Sequence, residues 1–294
     1  AIAPGSTETA ILEASGRLYG LESIDEFAVH HTIGRNLRPD EIAAGISWLC
    51  MPESSGVTGI VLPIDGGMTV RAAHDVTDAI EAGGGQAIAV VGDLATDSGA
   101  ASVADAAGEV DILVNNAGVA HYMPFAALPE QKARELLAVK VTAPTLLAHA
   151  VTPGMIERDS GTIINVAGML AFGGPASASP PPAQRAIYTG TLAYTVAMTQ
   201  TLHGELEATG VNVHVVCPGI VATEFHEVQG MDLSALPRMT AEDVVTGALA
   251  GIGLGETVIA PGIADYGLLQ RVFDADLDVF TNQSPDLAAR YEQS

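Results

Sequence analysis

Short apolar runs alternate along this chain with segments whose apolar residues recur every three to four positions. The runs are TGIVLPI (58–64), QAIAVVGDL (86–94), VDILVNN (110–116), GTIINVAG (161–168), VNVHVVCPG (211–219) and ETVIAPG (256–262). Each carries few polar residues and is closed by Gly, Pro, Asn or Asp, which reads as a strand covered on both faces. Between them lie helical patterns. Val70, Ala73, Val76 and Ile80 keep a 3.6-residue period over 70–82, and Gly83-Gly84-Gly85 ends it. Further helices are predicted over 98–107, 129–150, 187–208 and 241–251, the second opened by Pro129. Near the front, 1–5 reads as a strand end running into Pro-Gly, and 7–16 and 21–31 as helical or irregular. A helix over 39–50 is opened by Pro39, Asp40 and Glu41. A Pro-, Ser- and Ala-rich loop fills 173–184, and the acidic tail 263–294 is helical in part. Strands alternating with helices predict a parallel sheet with helices on both faces, a doubly wound α/β fold.

The front of the chain repeats the pattern of its end. IAPGSTETA (2–10) matches VCPGIVATEF (216–225) in kind, as strand, Pro-Gly and a Thr-Glu pair. RPDEIAAGISWL (38–49) echoes TAEDVVTGALAGI (240–252), and TGIVLPIDGG (58–67) echoes GETVIAPGIA (255–264). The first seventy residues thus read either as a second copy of the closing third or as generic αβ segments alike by chance.

Composition narrows the partners. The 294 residues are 48% hydrophobic and only 4% aromatic, so Ala, Val, Ile and Leu must fill the core. A net charge of −23 argues against nucleic acid and against an anionic membrane surface. No run of eighteen apolar residues suggests a membrane span, and AIAPGSTETA lacks the basic start of a signal peptide. A cytoplasmic location is the expectation. Cys50 and Cys217 stand far apart in apolar runs, as buried free thiols would. His30, His31, His203 and His214 lack partners at ligand spacing, so no metal site is expected.

Several segments in order resemble the short-chain dehydrogenase/reductase family. Asn115-Asn116-Ala117-Gly118 follows a strand as that family's NNAG does. Asp93 resembles its adenine-facing Asp, Tyr188 its YxxxK tyrosine, and Pro218-Gly219 with Thr223 its PG…T segment beside the nicotinamide. Pro4-Gly5, the helix from Pro39 and VLPIDGG (61–67) resemble the end of another member. The resemblance implies a Rossmann-like sheet and oxidation or reduction of a small carbonyl or alcohol with NAD or NADP. Asp93, Asn115, Ala117, Gly118, Pro218, Gly219 and Thr223 would face the cofactor. Tyr188 would pass the proton, and His121, Tyr122 and Gly168 would line the substrate. Asn115 would also stabilise the central strand and its turn. Helices 129–150 and 187–208 resemble the family's dimerising pair, so a homo-oligomer or a related subunit is the implied partner.

The same comparison exposes departures. Leu192 stands four residues after Tyr188, where the family places Lys, and Gly168 replaces its Ser. Lys140, within AVKVTAP, replaces the helix Asn of the family's relay. A phenol with a pKa of about 10 needs a nearby cation to act near neutrality. Lys occurs at 132 and 140 alone, so Lys140 either supplies that charge from a neighbouring helix or is a solvated lysine. Ser177 or Ser179 could fold back toward the place of Gly168. The family's opening strand, TGxxxGxG loop and second strand have no counterpart, so cofactor binding is expected to be weak or absent. The chain therefore divides into 1–70, like a closing third, and 71–294, a core irregular or incomplete at strands one and two, merged into one domain. Strand 58–64 could fill the central slot beside 110–116, or another chain could complete the sheet. Two functions stand side by side. One is an NAD(P)-dependent oxidoreductase, and the other is a silent family member serving as scaffold or partner subunit, or a decayed fusion.

Overall fold

The structure is a computed structural model. It describes residues 2–4, 6–18, 21, 23–30, 35–43, 62–64, 76–174, 185–223, 225–228, 233 and 235–291. They fall into two compact units, 1–91 and 92–294.

In the first unit, strands β1 (Ile2–Pro4) and β2 (Leu62–Ile64) pair in parallel, with Ile2 opposite Leu62 and Pro4 opposite Ile64. Helix α1 (Ala10–Leu18) follows β1. Thr7 bridges Leu37: the Glu8 N–H donates to the Leu37 carbonyl at 2.8 Å, and the Leu37 N–H to that of Ser6 at 2.9 Å. A helix opens at Pro39, two residues beyond that bridge. The Glu41 carboxylate accepts the Arg38 N–H and pairs with the Arg35 guanidinium, which holds it at about 2.

The second unit holds a four-stranded parallel sheet in the order β3 (Ile112–Asn115), β4 (Gly161–Val166), β5 (Val211–Val216), β6 (Val258–Ile259). Its helices are α2 (Asp97–Ala107), α3 (Glu130–Leu137), α4 (Ala143–Glu157), α5 (Ala186–Glu205), α6 (Ala241–Gly253) and α7 (Gly267–Thr281). A π-helical turn, Ala138–Thr142, joins α3 to α4. Thr96 caps α2 by accepting the Gly99 N–H, and Thr240 caps α6 by accepting that of Asp243. Each replaces a hydrogen bond that a helix start otherwise lacks. Two clusters form the core. Ala148, Val151 and Met155 of α4 meet Ile163, Val211 and Val213 from beneath the sheet's N-terminal half. Leu136, Ala167, Tyr188, Leu192, Val196, Val215 and Cys217 gather toward its C-terminal end. Each large apolar side chain fully buried this way contributes about 1.5–3 kcal/mol.

The segments that the sequence aligns carry the same hydrogen bonds. Val221 bridges Met239 in parallel, with the Ala222 N–H donating to the Met239 carbonyl and the Met239 N–H to that of Ile220. Thr7 and Val221 each lie five residues beyond the aligned strand positions Ile2 and Val216. Each bridge partner, Leu37 or Met239, precedes a helix start by two residues.

Several expectations change. Residues 86–94 form no strand, and Ile88, Val90 and Val91 are 89%, 44% and 61% exposed. A strand exists by pairing, and this run has no ladder partner among the described residues. Strand 58–64 does not fill the slot beside 110–116: its described part pairs with Ile2–Pro4 instead. Among the described residues β3 is therefore an edge, bonded to β4 alone. The predicted strand 256–262 shrinks to Val258–Ile259. Helix 129–150 runs on to Glu157, through Pro153. Fully buried Met155 holds that last turn against Gly161, where even a methyl group would collide with it. Helix 70–82 is described from 76, with Val76 and Ile80 exposed. Most of 39–50 and 173–184, including Ser177 and Ser179, lies outside the described residues, as does Cys50.

The helical stretch Glu130–Glu157 is apolar enough by length and composition to cross a membrane. Leu136, Val139, Leu147, Val151 and Met155 are instead buried inside the unit, as in a core helix.

The edge position of β3 is measurable by urea unfolding. Ile163→Ala, in the middle of the sheet, should cost about 2–4 kcal/mol. Ile112→Ala, on the exposed edge, should cost no more than about 0.5 kcal/mol.

Candidate functional site

The residues singled out by resemblance gather where β3, β4 and β5 end. Asn115 and Asn165 close β3 and β4 side by side. The Asn115 Nδ2 donates to the Asn165 Oδ1 at 2.9 Å and to the Pro144 carbonyl at 3.3 Å. The Asn165 Nδ2 donates to the Thr199 Oγ1, whose hydroxyl donates to the Thr195 carbonyl. This chain ties both strand ends to α4 and α5, and Asn165 and Thr199 are fully buried.

Gly168, Leu192 and Pro218 meet beyond these strand ends. A Cβ on Gly168 would stand 3.6 Å from the Leu192 Cδ1 and 3.5 Å from the Pro218 carbonyl. The Met169 N–H donates to that carbonyl at 2.9 Å, which ties the β4 exit to the β5 exit. Leu192 is 1% exposed and sits in one cluster with Tyr188, Ala120 and Cys217.

Tyr188 lies in the first turn of α5, almost fully buried. The ring of Tyr122 stands edge-on to it, with centroids 5.2 Å apart and planes at 84°. Burial pushes the Tyr188 phenol far above its ordinary value, and the Tyr122 phenol adds to the shift, while the charge of Arg185 opposes it. Burial raises Tyr122 too. Burial drives the Cys217 thiol up to about 12.

Lys140 is not a solvated lysine. It sits on the π turn, 8% exposed, with no hydrogen bond or ion pair to any described residue. Its Nζ lies over Gly118, 2.5 Å from where a Cβ on that glycine would stand. Desolvation brings the amine down to about 8. Beside it lies a cavity of about 20 Å³, lined by Leu94, Asn115, Ala117, Pro144, Asn165 and Thr195 among others.

The other candidates have local duties. The exposed Asp93 carboxylate accepts the Ala95 N–H, and its carbonyl accepts Thr96, which builds the turn into α2. The His121 Nε2 meets the Glu135 carboxylate of α3 at 2.8 Å. The Thr223 hydroxyl accepts the Phe225 N–H at 3.4 Å; Thr223 and Gly219 are exposed. The sequence reading missed Asn165, whose sign was an Asn late in an otherwise apolar strand, and it left Leu192 and Lys140 without a place in space.

The parallel sheet flanked by helices and the residues at its C-terminal edge define a Rossmann-type α/β protein. A family model described as short chain dehydrogenase matches residues 64–233, and one described as Enoyl-(Acyl carrier protein) reductase matches 1–69. The chain belongs to the short-chain dehydrogenase/reductase family, with the two models in an atypical order along it. Ketoacyl reductase HetN of Nostoc is 35% identical over 71% of this chain and 65% of its own length. Short chain dehydrogenase MYCFIDRAFT_6125 of Pseudocercospora fijiensis is 37% identical over 51% of this chain and 48% of its own length. The matched segments thus cover about half to two thirds of those relatives. A short-chain dehydrogenase from Sphingobium yanoikuyae, solved with NADPH, superposes with a TM-score of 0.68 at 25% identity, over 76% of this chain and 86% of that one. An alcohol dehydrogenase from Comamonas testosteroni shares the fold over 98% of this chain and 97% of its own, with a TM-score of 0.59 at 22% identity.

The buried amine makes stability depend on pH with a definite sign. Below pH 8 Lys140 is charged both folded and unfolded, so its burial penalty is constant. From about pH 8 to the ordinary lysine value the unfolded chain holds more protons, so this group's contribution to stability rises with pH. The rise approaches about 3 kcal/mol. Lys140→Met should be the more stable protein at pH 7 by roughly 2–3 kcal/mol, and that advantage should shrink by pH 9.5 in urea titrations.

Proposed function

We propose that this chain is a short-chain dehydrogenase/reductase relative that has lost the family's tyrosine–lysine proton relay and acts as a partner subunit. The observation that carries this reading is Leu192, buried where a cation would have to stand and packed in one cluster with Tyr188. Proton transfer near neutrality needs a phenol whose pKa is lowered. Burial beside Tyr122 does the opposite, and no cation other than Arg185 bears on it among the described residues.

A nucleotide cofactor suits this fold in general, since the Sphingobium relative was solved with NADPH. The described residues fit it poorly. The space over Gly118 is taken by the Lys140 amine, and Leu192 offers no donor to a ribose hydroxyl. The glycine-rich loop that cradles a pyrophosphate on backbone N–H groups is missing from the sequence. Weak or absent binding follows from these three points.

The surface we assign to the partner is a groove of about 690 Å³ between α4 and α5. Thr145, His149, Ile156, Tyr194, Met198 and Leu202 are among its walls, and the Tyr194 hydroxyl bonds that of Thr145 at 2.9 Å. Leu146 and Ile156, 47% and 43% exposed, add apolar surface on α4. The occupant proposed is a second copy, because the two helices that wall the groove are the ones that resemble the family's dimerising pair.

Two measurements test this. Millimolar NADH or NADPH should move the melting temperature by no more than about 1 °C, and neither should be consumed with a panel of small aldehydes and ketones. Turnover abolished by Tyr188→Phe would restore the oxidoreductase reading. In sedimentation equilibrium the wild type should be a dimer, and Ala197→Glu should shift it to monomer with an unchanged far-UV spectrum; a monomeric wild type defeats the subunit assignment.

A further inference from the structure

The chain has two lysines in very different places. Lys132 is exposed on α3. Lys140 is carried inward by the π turn, next to Val139, and both are buried. Among the described residues its amine has neither carboxylate nor hydrogen-bond acceptor, although amides and hydroxyls surround the cavity beside it. Their donors are turned to other partners: the Asn115 Nδ2 to Asn165, the Asn165 Nδ2 to Thr199, and the Thr195 hydroxyl to the Thr191 carbonyl. A buried ammonium without a counter-charge is costly, so the amine gives up its proton more readily there than in water, and its neutral, nucleophilic form is a larger fraction near neutrality than that of an exposed lysine. The proximity of Gly118 leaves the amine room that any side chain at that position would take.

We infer that Lys140 is a carbonyl-capture site, where the amine condenses reversibly with a short aliphatic aldehyde whose carbonyl group enters the cavity between Asn115, Asn165 and Thr195. The amine lone pair attacks the carbonyl carbon and forms a C–N bond, while the C=O π pair moves to oxygen, which takes up the nitrogen's proton. The carbinolamine then loses water to give the imine, so one amine and one aldehyde become one imine and one water, with no oxidant or reductant. Size selects the partner. The cavity of about 20 Å³ has room for about one water molecule, so it admits only the carbonyl group of a one- or two-carbon aldehyde, whose remaining atoms stay outside it, and excludes an aromatic ring. This inference stands apart from the subunit reading above, because it needs neither nicotinamide nor Tyr188.

The test is reductive trapping on the intact wild-type protein at pH 7.5. Glycolaldehyde with cyanoborohydride is followed by peptide mass mapping, with Lys132 as the exposed control in the same molecule. Lys140 should be modified roughly tenfold or more faster than Lys132. Modification of Lys132 at an equal or higher rate overturns the proposal, since a lysine that is merely buried reacts slowly. Benzaldehyde under the same conditions should label Lys132 and spare Lys140; equal labelling of both removes the size selection. Lys140→Arg, which keeps a cation but forms no imine, should lose the fast glycolaldehyde adduct and keep the slow one. If the fast adduct persists in that variant, it belongs to another residue and the assignment fails.

Discussion

Strand β4 is hydrogen-bonded along both edges, to β3 on one side and β5 on the other, and the candidate site hangs from that arrangement. A backbone group taken out of water must find a partner within the protein. Six residues of β4 do so against all six of β5. The registers bring Asn115 level with Asn165, and the β4 and β5 exits level with each other at Gly168 and Pro218. The amide chain from Asn115 through Asn165 to Thr199 then locks the strand ends to the helices behind them. Where no ladder partner stands among the described residues, β3 leaves Ile112 and Val114 exposed, and the apolar run at 86–91 is no strand.

The site's electrostatics follow from which side chains occupy the buried places. Leu192 makes the surroundings of Tyr188 apolar, and an apolar surrounding favours the neutral phenol. The same desolvation acts on Lys140 in the opposite direction of pKa, and again the neutral form gains. One physical effect thus raises the pKa of the tyrosine and lowers that of the lysine. Family resemblance could name the positions; burial sets which protonation state each favours.

Much of the fold was legible because its signals are local. The apolar runs at 110–116, 161–168 and 211–219 all hold strands, and the helices around 98–107, 187–208 and 241–251 lie within a few residues of their predicted bounds. The misreadings share a cause. QAIAVVGDL has the composition of a strand, but a strand also needs a neighbour, and that condition is not written in the segment. Pro153-Gly154 looks like a helix end, yet Met155 packed on Gly161 carries the helix past it. In the site, NNAG, Tyr188 and Pro218-Gly219 were visible as motifs. Asn165, the partner that fixes Asn115, was not, because the two lie fifty residues apart.

The sequence by itself determined the class of fold, the echo between the first seventy residues and the last eighty, and the absence of a lysine four places after Tyr188. These depend on residue type and spacing along the chain. Tertiary structure decided that Leu62–Ile64 pairs with Ile2–Pro4, that Ile112–Asn115 ladders with β4 alone among the described residues, and that Lys140 is buried beside Gly118 rather than solvated. Each of these is settled by what competes for hydrogen bonds or for space across long stretches of chain. Pairing and burial are properties of neighbours, and the neighbours exist only once the chain has folded.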